Sequence, residues 1–141
     1  LNKDLEQAKQ LLMEQSLAFA VVKDGEVIGT SAAKGVIDLL ALVDGRGAAL
    51  AGASLADKLI GKAVAAMVCY TGIRAVYTPV MSRPALEMLQ HHDVPLEYDE
   101  LVAMILSRDG KMRGPLEQLL FETHDPAEAV AALRDFLKAR A

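Results

Sequence analysis

The sequence predicts one α/β domain built on a mixed sheet with a parallel portion. Three observations carry this. Asp24-Gly25 joins two apolar runs, a strong signal for a two-residue hairpin because both central residues need positive φ. After that antiparallel pair, strand-like runs alternate with segments of helical spacing, as in crossover units with parallel strands. The 141 residues make one ordinary domain, with no repeat, low-complexity tract or linker.

The elements follow in order. Residues 3–15 place Leu5, Ala8, Leu11 and Leu12 on one helix face, with Asn2 or Asp4 as cap. Residues 17–22 form an apolar run short enough for a strand buried on both faces, and residues 26–30 return from the turn. Val36, Leu39, Leu40 and Val43 have helical spacing, and Asp44-Gly45-Arg46-Gly47 ends that helix. Residues 48–53 read as strand or close-packed loop. Residues 55–70 read as the most apolar helix. Ser54 is its N-cap, Asp57 sits three residues on as in a capping box, and Gly72 follows it as the left-handed stop.

Residues 73–80 are a β-branched strand ending at Pro79. Ser82 caps the next helix, with Pro84 tolerated in its first turn and Ala85, Leu86 and Leu89 buried. Val94, Leu96 and Tyr98 alternate as a strand. Residues 101–106 are ambiguous between strand and short helix, and Arg108-Asp109-Gly110 is a turn. Pro115 opens a helix to about residue 122. Asp125-Pro126 caps and opens the last one, which packs Val130, Leu133 and Leu137. Right-handed crossovers put the two buried helices on one face of the sheet.

Composition narrows the function classes. Aromatics are scarce and Trp is absent, which removes large stacking platforms for bases. The net charge of -4 argues against a nucleic-acid binder that relies on phosphate neutralisation. The single cysteine, Cys69, cannot form an internal disulfide and fits a reducing cytosol, so a cytoplasmic protein is expected. No apolar run reaches the ~20 residues that span a bilayer, and the first residues do not read as a signal peptide. Membrane partners are therefore not expected.

The order of helix, hairpin and two strand-helix crossovers is similar to the cytidine-deaminase-like fold. At residue level the chain resembles a bacterial and archaeal family, a domain of unknown function with this fold but without the zinc ligands. The stretch GASLADKLIGKA at residues 52–63 carries most of the resemblance. Tyr77, the helix start Ser82-Arg83-Pro84-Ala85-Leu86, Glu97-Tyr98, Arg108-Asp109-Gly110 and Pro115-Leu116-Glu117 add to it at matching spacing. It covers about residues 3–137. It implies a three-layer α/β fold, with a mixed sheet of about five strands and helices on both faces. One departure is Gly114, where the family pattern has a cysteine before the late proline. The resemblance implies no activity.

The zinc-deaminase signature is H-x-E followed by P-C-x-x-C at two successive helix starts. The corresponding starts are expected at residues 54–58 and 79–83, and neither holds a His or Cys. No zinc site or other cofactor is expected, because three ligands are missing. His91 and His92 sit where a helix ends and can meet its dipole and free carbonyls; His124 precedes a cap and reads as solvated. Gly47 and Gly52 match a P-loop only by chance, since the required Lys is absent.

The informative constellation is Ser54, Asp57, Lys58 and Lys62. Lys58 and Lys62, four apart, would share one helix face in its positive, N-terminal half, where cations are disfavoured. An anion bound at that helix start would offset this. Ser82 and Arg83 open the next crossover helix beside the same sheet edge, at the carboxyl ends of the strands, where open sheets bind ligands. Arg108 and Asp109 could join this pocket, though Asp109 also suits a simple turn. Against this stands a plainer account, in which both lysines snorkel to solvent or pair with acids and Asp57 only caps. The reading is a binding module for a nucleotide-like or phosphorylated small molecule. One alternative is a metal-independent enzyme with Asp57 as general base and Lys58 as its electrostatic partner. The other is a homodimeric interaction protein without ligand.

Overall fold

A computed structural model describes residues 2–107, 110 and 113–140. The chain opens with helix α1 (Lys3–Glu14), where the Asn2 side chain accepts from the Leu5 amide. Strands β1 (Phe19–Lys23) and β2 (Glu26–Ser31) follow. Asp24 and Gly25 between them both have positive φ, 51° and 79°, the primed turn the sequence predicts. Helix α2 (Gly35–Leu50) leads to β3 (Ser54–Asp57), α3 (Lys62–Thr71), β4 (Ala75–Ser82), α4 (Arg83–His91) and β5 (Leu96–Val102). Helices α5 (Pro115–Leu119) and α6 (Pro126–Ala139) close the chain.

The sheet order is β2-β1-β3-β4-β5. The two pairings of β1 are antiparallel, and β3/β4 and β4/β5 are parallel. This is the five-stranded mixed sheet expected. Alternation along the strands sorts side chains onto two faces. Ala20, Val22, Ala56, Ala75 and Tyr77 face α1, with Leu5, Ala8 and Leu12. Phe19, Val21, Leu55, Val76 and Met81 face the larger core under α2, α3 and α4. Both crossover helices therefore lie on one side, and α6 packs on α3 through Ala129, Val130 and Leu133.

Three boundaries depart from the sequence reading. Residues 54–57 are a strand, not the first turn of a helix, and α3 starts only at Lys62, with Gly61 as its cap position. The four residues of β3 are buried between β1 and β4, so tertiary pairing overrides their helix-compatible composition. Helix α2 runs through Gly45 and Gly47 to Leu50, with its kink at Arg46 (φ -138°, ψ 34°). Leu50 is fully buried, which draws that last turn into the core. Strand β4 continues past Pro79 to Ser82. Beyond the proline it pairs with β5 through Val80, Met81 and Ser82, and on its other side Ile60 bridges Met81, with the Ile60 amide donating to Val80 O and the Ser82 amide to Ile60 O.

Other expectations hold. Gly72 is left-handed at the end of α3 (φ 79°), the Ser82 hydroxyl accepts from Ala85 N, and Asp125 accepts from Glu128 N. The ambiguous stretch divides: β5 ends at Val102, and Leu106 forms an isolated bridge with Arg113. Among the described residues, no helix is long and apolar enough to cross a membrane.

Candidate functional site

The parallel strands β3, β4 and β5 all end toward one edge of the sheet. Each sends the chain into the wall of one cleft there. After β3 comes Lys62 at the start of α3. After β4 come Arg83, Pro84, Glu87 and Met88 on α4, with His91 and His92 at its end. After β5 come Ala103 and Met104. The far wall is Arg113, Glu117 of α5, and Phe121, His124 and Pro126 before and at the start of α6. The volume is about 800 Å³, within the range of small-molecule sites. Its position, beyond the carboxyl ends of parallel strands, is where the sequence argument put a pocket.

Lys62 is the buried lysine of this cleft, only 4% exposed. Its Nζ lies 3.3 Å from Phe121 O, to which it donates, and 3.3 Å from His124 Nδ1. Among the described residues no carboxylate forms an ion pair with it. Burial holds its ammonium below the usual lysine range, while Glu117 and Glu87 act in the opposite direction. Arg83 is exposed at the rim and has no ion pair or hydrogen-bonded side-chain partner among the described residues. The Arg113 guanidinium stacks 3.6 Å from the centre of the Phe121 ring and donates to Gln118 Oε1 at 3.1 Å. The face of that ring thus fixes a second cation at the cleft.

The helix start itself is already filled. Glu117, 4% exposed, accepts from the Lys62 amide through Oε1 (2.8 Å) and from the Ile105 amide through Oε2 (3.4 Å). Its carboxylate occupies the anion position at the α3 N-terminus. An external anion must therefore be held by side chains of the cleft, not by the free amides of this helix. Gly61 makes room for the arrangement: a Cβ there would stand 2.3 Å from Ile105 Cδ1 and 3.0 Å from Glu117 Oε1.

The residues singled out from the sequence separate into two groups. Lys62 and Arg83 line the cleft, and buried Ser82 supports it by capping α4. Ser54 does not: it begins β3, at the opposite end of that strand, and its hydroxyl accepts from Asn2 Nδ2 at 2.9 Å on the α1 face. Lys58 is exposed in the β3–α3 loop, so it shares no helix face with Lys62. Asp57 is buried at the end of β3, in one row with Phe19 and Ser31 across the sheet. It caps no helix. Its Oδ1 accepts from Leu59 N at 3.1 Å, and Oδ2 is buried without a protein partner. Burial pushes this carboxyl up to about 7, against the pull of the Leu59 amide. No hydrogen bond or ion pair joins Asp57 to the Lys58 side chain. Arg108 and Asp109 lie outside the described residues.

Sequence reasoning missed Arg113, Glu117, Phe121 and the place of His124. They come from a stretch more than fifty residues from Lys62, and no local spacing announces that meeting. His92 follows its local reading, with Nδ1 3.0 Å from Met88 O at the end of α4, and its ring meets His91 edge-on.

Of the two helix starts that the sequence reading matched to a deaminase-type metal set, residues 54–58 fall on β3 and the loop after it, and residues 79–83 end β4 and open α4; neither holds a His or Cys. Among the described residues no group of three or more His, Cys, Asp and Glu could hold a metal ion. The molecule is thus a three-layer α/β domain, with a five-stranded mixed sheet between α1 on one face and α2, α3 and α4 on the other. The chain belongs to the family described as Domain of unknown function (DUF1893), whose model matches residues 7–137. It is similar to the crystal structure of a DUF1893 family protein from Thermotoga maritima. The TM-score is 0.81 at 27% identity, over 96% of this chain and 91% of that one. A diaminohydroxyphosphoribosylaminopyrimidine deaminase/5-amino-6-(5-phosphoribosylamino)uracil reductase from the same organism matches with a TM-score of 0.45 at 19% identity, over 68% of this chain and 35% of that one. No curated protein matches the chain.

Proposed function

We propose that this chain binds a small phosphorylated, nucleotide-like molecule in the cleft beyond β3, β4 and β5. One observation carries the reading: Arg83 and Arg113 converge with buried Lys62 on a single cleft, and none of the three has a carboxylate ion-pair partner among the described residues. The two guanidiniums suit a phosphate, which they can grip with paired N–H donors. Pro84, Met88, Met104 and Phe121 offer apolar wall to an organic body, and Glu87 and Glu122 offer acceptors to its hydroxyls. The phosphate is held at the arginines, since Glu117 fills the helix N-terminus.

Thermal denaturation with inorganic phosphate and with nucleoside monophosphates tests this. A ligand at a hundredfold excess over its Kd stabilises by about 2.7 kcal/mol, which raises Tm by several degrees in a domain of this size. The rise is expected to vanish in Arg83→Ala and Arg113→Ala and to persist in Lys58→Ala, whose side chain lies outside the cleft. If no phosphorylated compound moves Tm, or both arginine variants respond as the wild type does, the reading falls.

A further inference from the structure

We propose that Lys62 is a carbonyl-reactive amine, which condenses with a small phosphorylated aldehyde or ketone bound in this cleft to form an imine. The inference rests on the phosphate-binding reading and narrows its ligand class.

Among the described residues no carboxylate lies within ion-pair distance of Nζ to hold it as an ammonium. Its polar neighbours are a carbonyl oxygen, Phe121 O, to which it donates, and a ring nitrogen, His124 Nδ1, both at 3.3 Å. These surroundings suit an uncharged amine, which needs no counter-ion. Two physical effects favour that state. The side chain is removed from water, and Lys62 is the first residue of α3, at the positive end of its dipole. Glu117 and Glu87 oppose them, but Glu117 is committed to the Lys62 and Ile105 amides and neither acid reaches ion-pair distance of Nζ. An uncharged lysine amine is a nucleophile. The exposed lysines of the surface, Lys58 among them, lack this setting.

The step balances without a redox partner. The Nζ lone pair attacks the carbonyl carbon, the C–N bond forms, and the C=O π electrons move to oxygen. One amine proton passes to that oxygen by way of His124 Nδ1, giving a carbinolamine. The hydroxyl then leaves as water with the second amine proton, and a C=N bond remains: amine plus carbonyl gives imine plus water. His124 is the proton carrier at hydrogen-bond reach of the reacting atom, and Arg83 and Arg113 hold the phosphate.

The test is reductive trapping. The protein is incubated with dihydroxyacetone phosphate and treated with sodium borohydride, and its intact mass and tryptic peptides are measured. The expected result is one adduct, heavier than the chain by the triose phosphate less one oxygen. It should map to Lys62 with at least tenfold preference over Lys58 or any other lysine. Lys62→Met, shown folded by circular dichroism, is expected to lose it, and His124→Asn to slow its formation at least tenfold. Adducts spread over surface lysines with no enrichment at Lys62 overturn the inference. Glycerol 3-phosphate, which carries the phosphate but no carbonyl, separates the two readings in a parallel thermal shift. A shift without a Lys62 adduct overturns the amine and leaves the cleft reading standing. Neither shift nor adduct overturns both.

Discussion

Asp57 and Gly61 sit four residues apart on either side of one turn, and each is constrained in a different way. Asp57 is sealed under the sheet's larger core with one oxygen unpartnered, and burial pushes its carboxyl up to about 7 from an ordinary value of 3.8. Between those limits the folded chain keeps a proton that the unfolded chain has released. Its contribution is therefore fully present below about pH 4 and is lost as pH rises toward 7, at about 1.4 kcal/mol per unit. Asp57→Asn removes the titration. Its stability relative to the wild type is expected to climb from pH 4 to pH 7 and then level, read by urea denaturation across that range. A constant difference would show that the carboxyl is not sealed. Gly61 is constrained by space, not by backbone angle, since its φ of -102° suits any residue. Gly61→Ala must push Ile105 and the Glu117 carboxylate away, an overpacking cost of about 1–3 kcal/mol, measurable as a lower urea midpoint.

Helix α3 takes its cap from another element. Local chemistry caps α1, α4 and α6 through Asn2, Ser82 and Asp125, and all three caps are legible in the sequence because donor and acceptor lie three residues apart. The hairpin turn at Asp24-Gly25 and the Gly72 stop are legible for the same reason. The start of α3 is not, because its cap is Glu117, 55 residues away. Ser54 and Asp57 imitate a capping box, and Leu55 and Ala56 suit a helix as well as a strand buried on both sides. The contrary signal was Gly61, a residue that costs about 1 kcal/mol inside a helix and here marks its boundary. Glu117→Ala leaves the buried Lys62 amide and the part-buried Ile105 amide without their acceptor and is expected to destabilise by about 2 kcal/mol. Glu117→Gln keeps one acceptor oxygen and is expected to lose less. Equal losses in urea denaturation would mean that the side chain fills space and does not cap.

At the scale of the whole molecule, the parallel half of the sheet explains why the pocket's location was legible and its membership was not. Strand direction alone sends the segments after β3, β4 and β5 to one edge, and Lys62 and Arg83 line the cleft there. The opposite wall comes from the segment that returns to pack α6 on α3, and only tertiary structure shows that return. The same sheet joins two cores of unequal size, since every strand in its middle contributes alternate residues to each. Neither face can lose its helices without exposing strands that the other face needs, so the chain is expected to unfold in one transition. Leu12→Val beneath α1 and Leu133→Val between α6 and α3 each remove one buried methylene, at about 1 kcal/mol apiece. They lie on opposite sides of the sheet and share no contact, so the double variant should lose the sum within about 0.5 kcal/mol. It should still melt as one step, with secondary-structure and aromatic circular dichroism signals coinciding. A separate early transition in Leu12→Val would instead show α1 detaching from a core that persists without it.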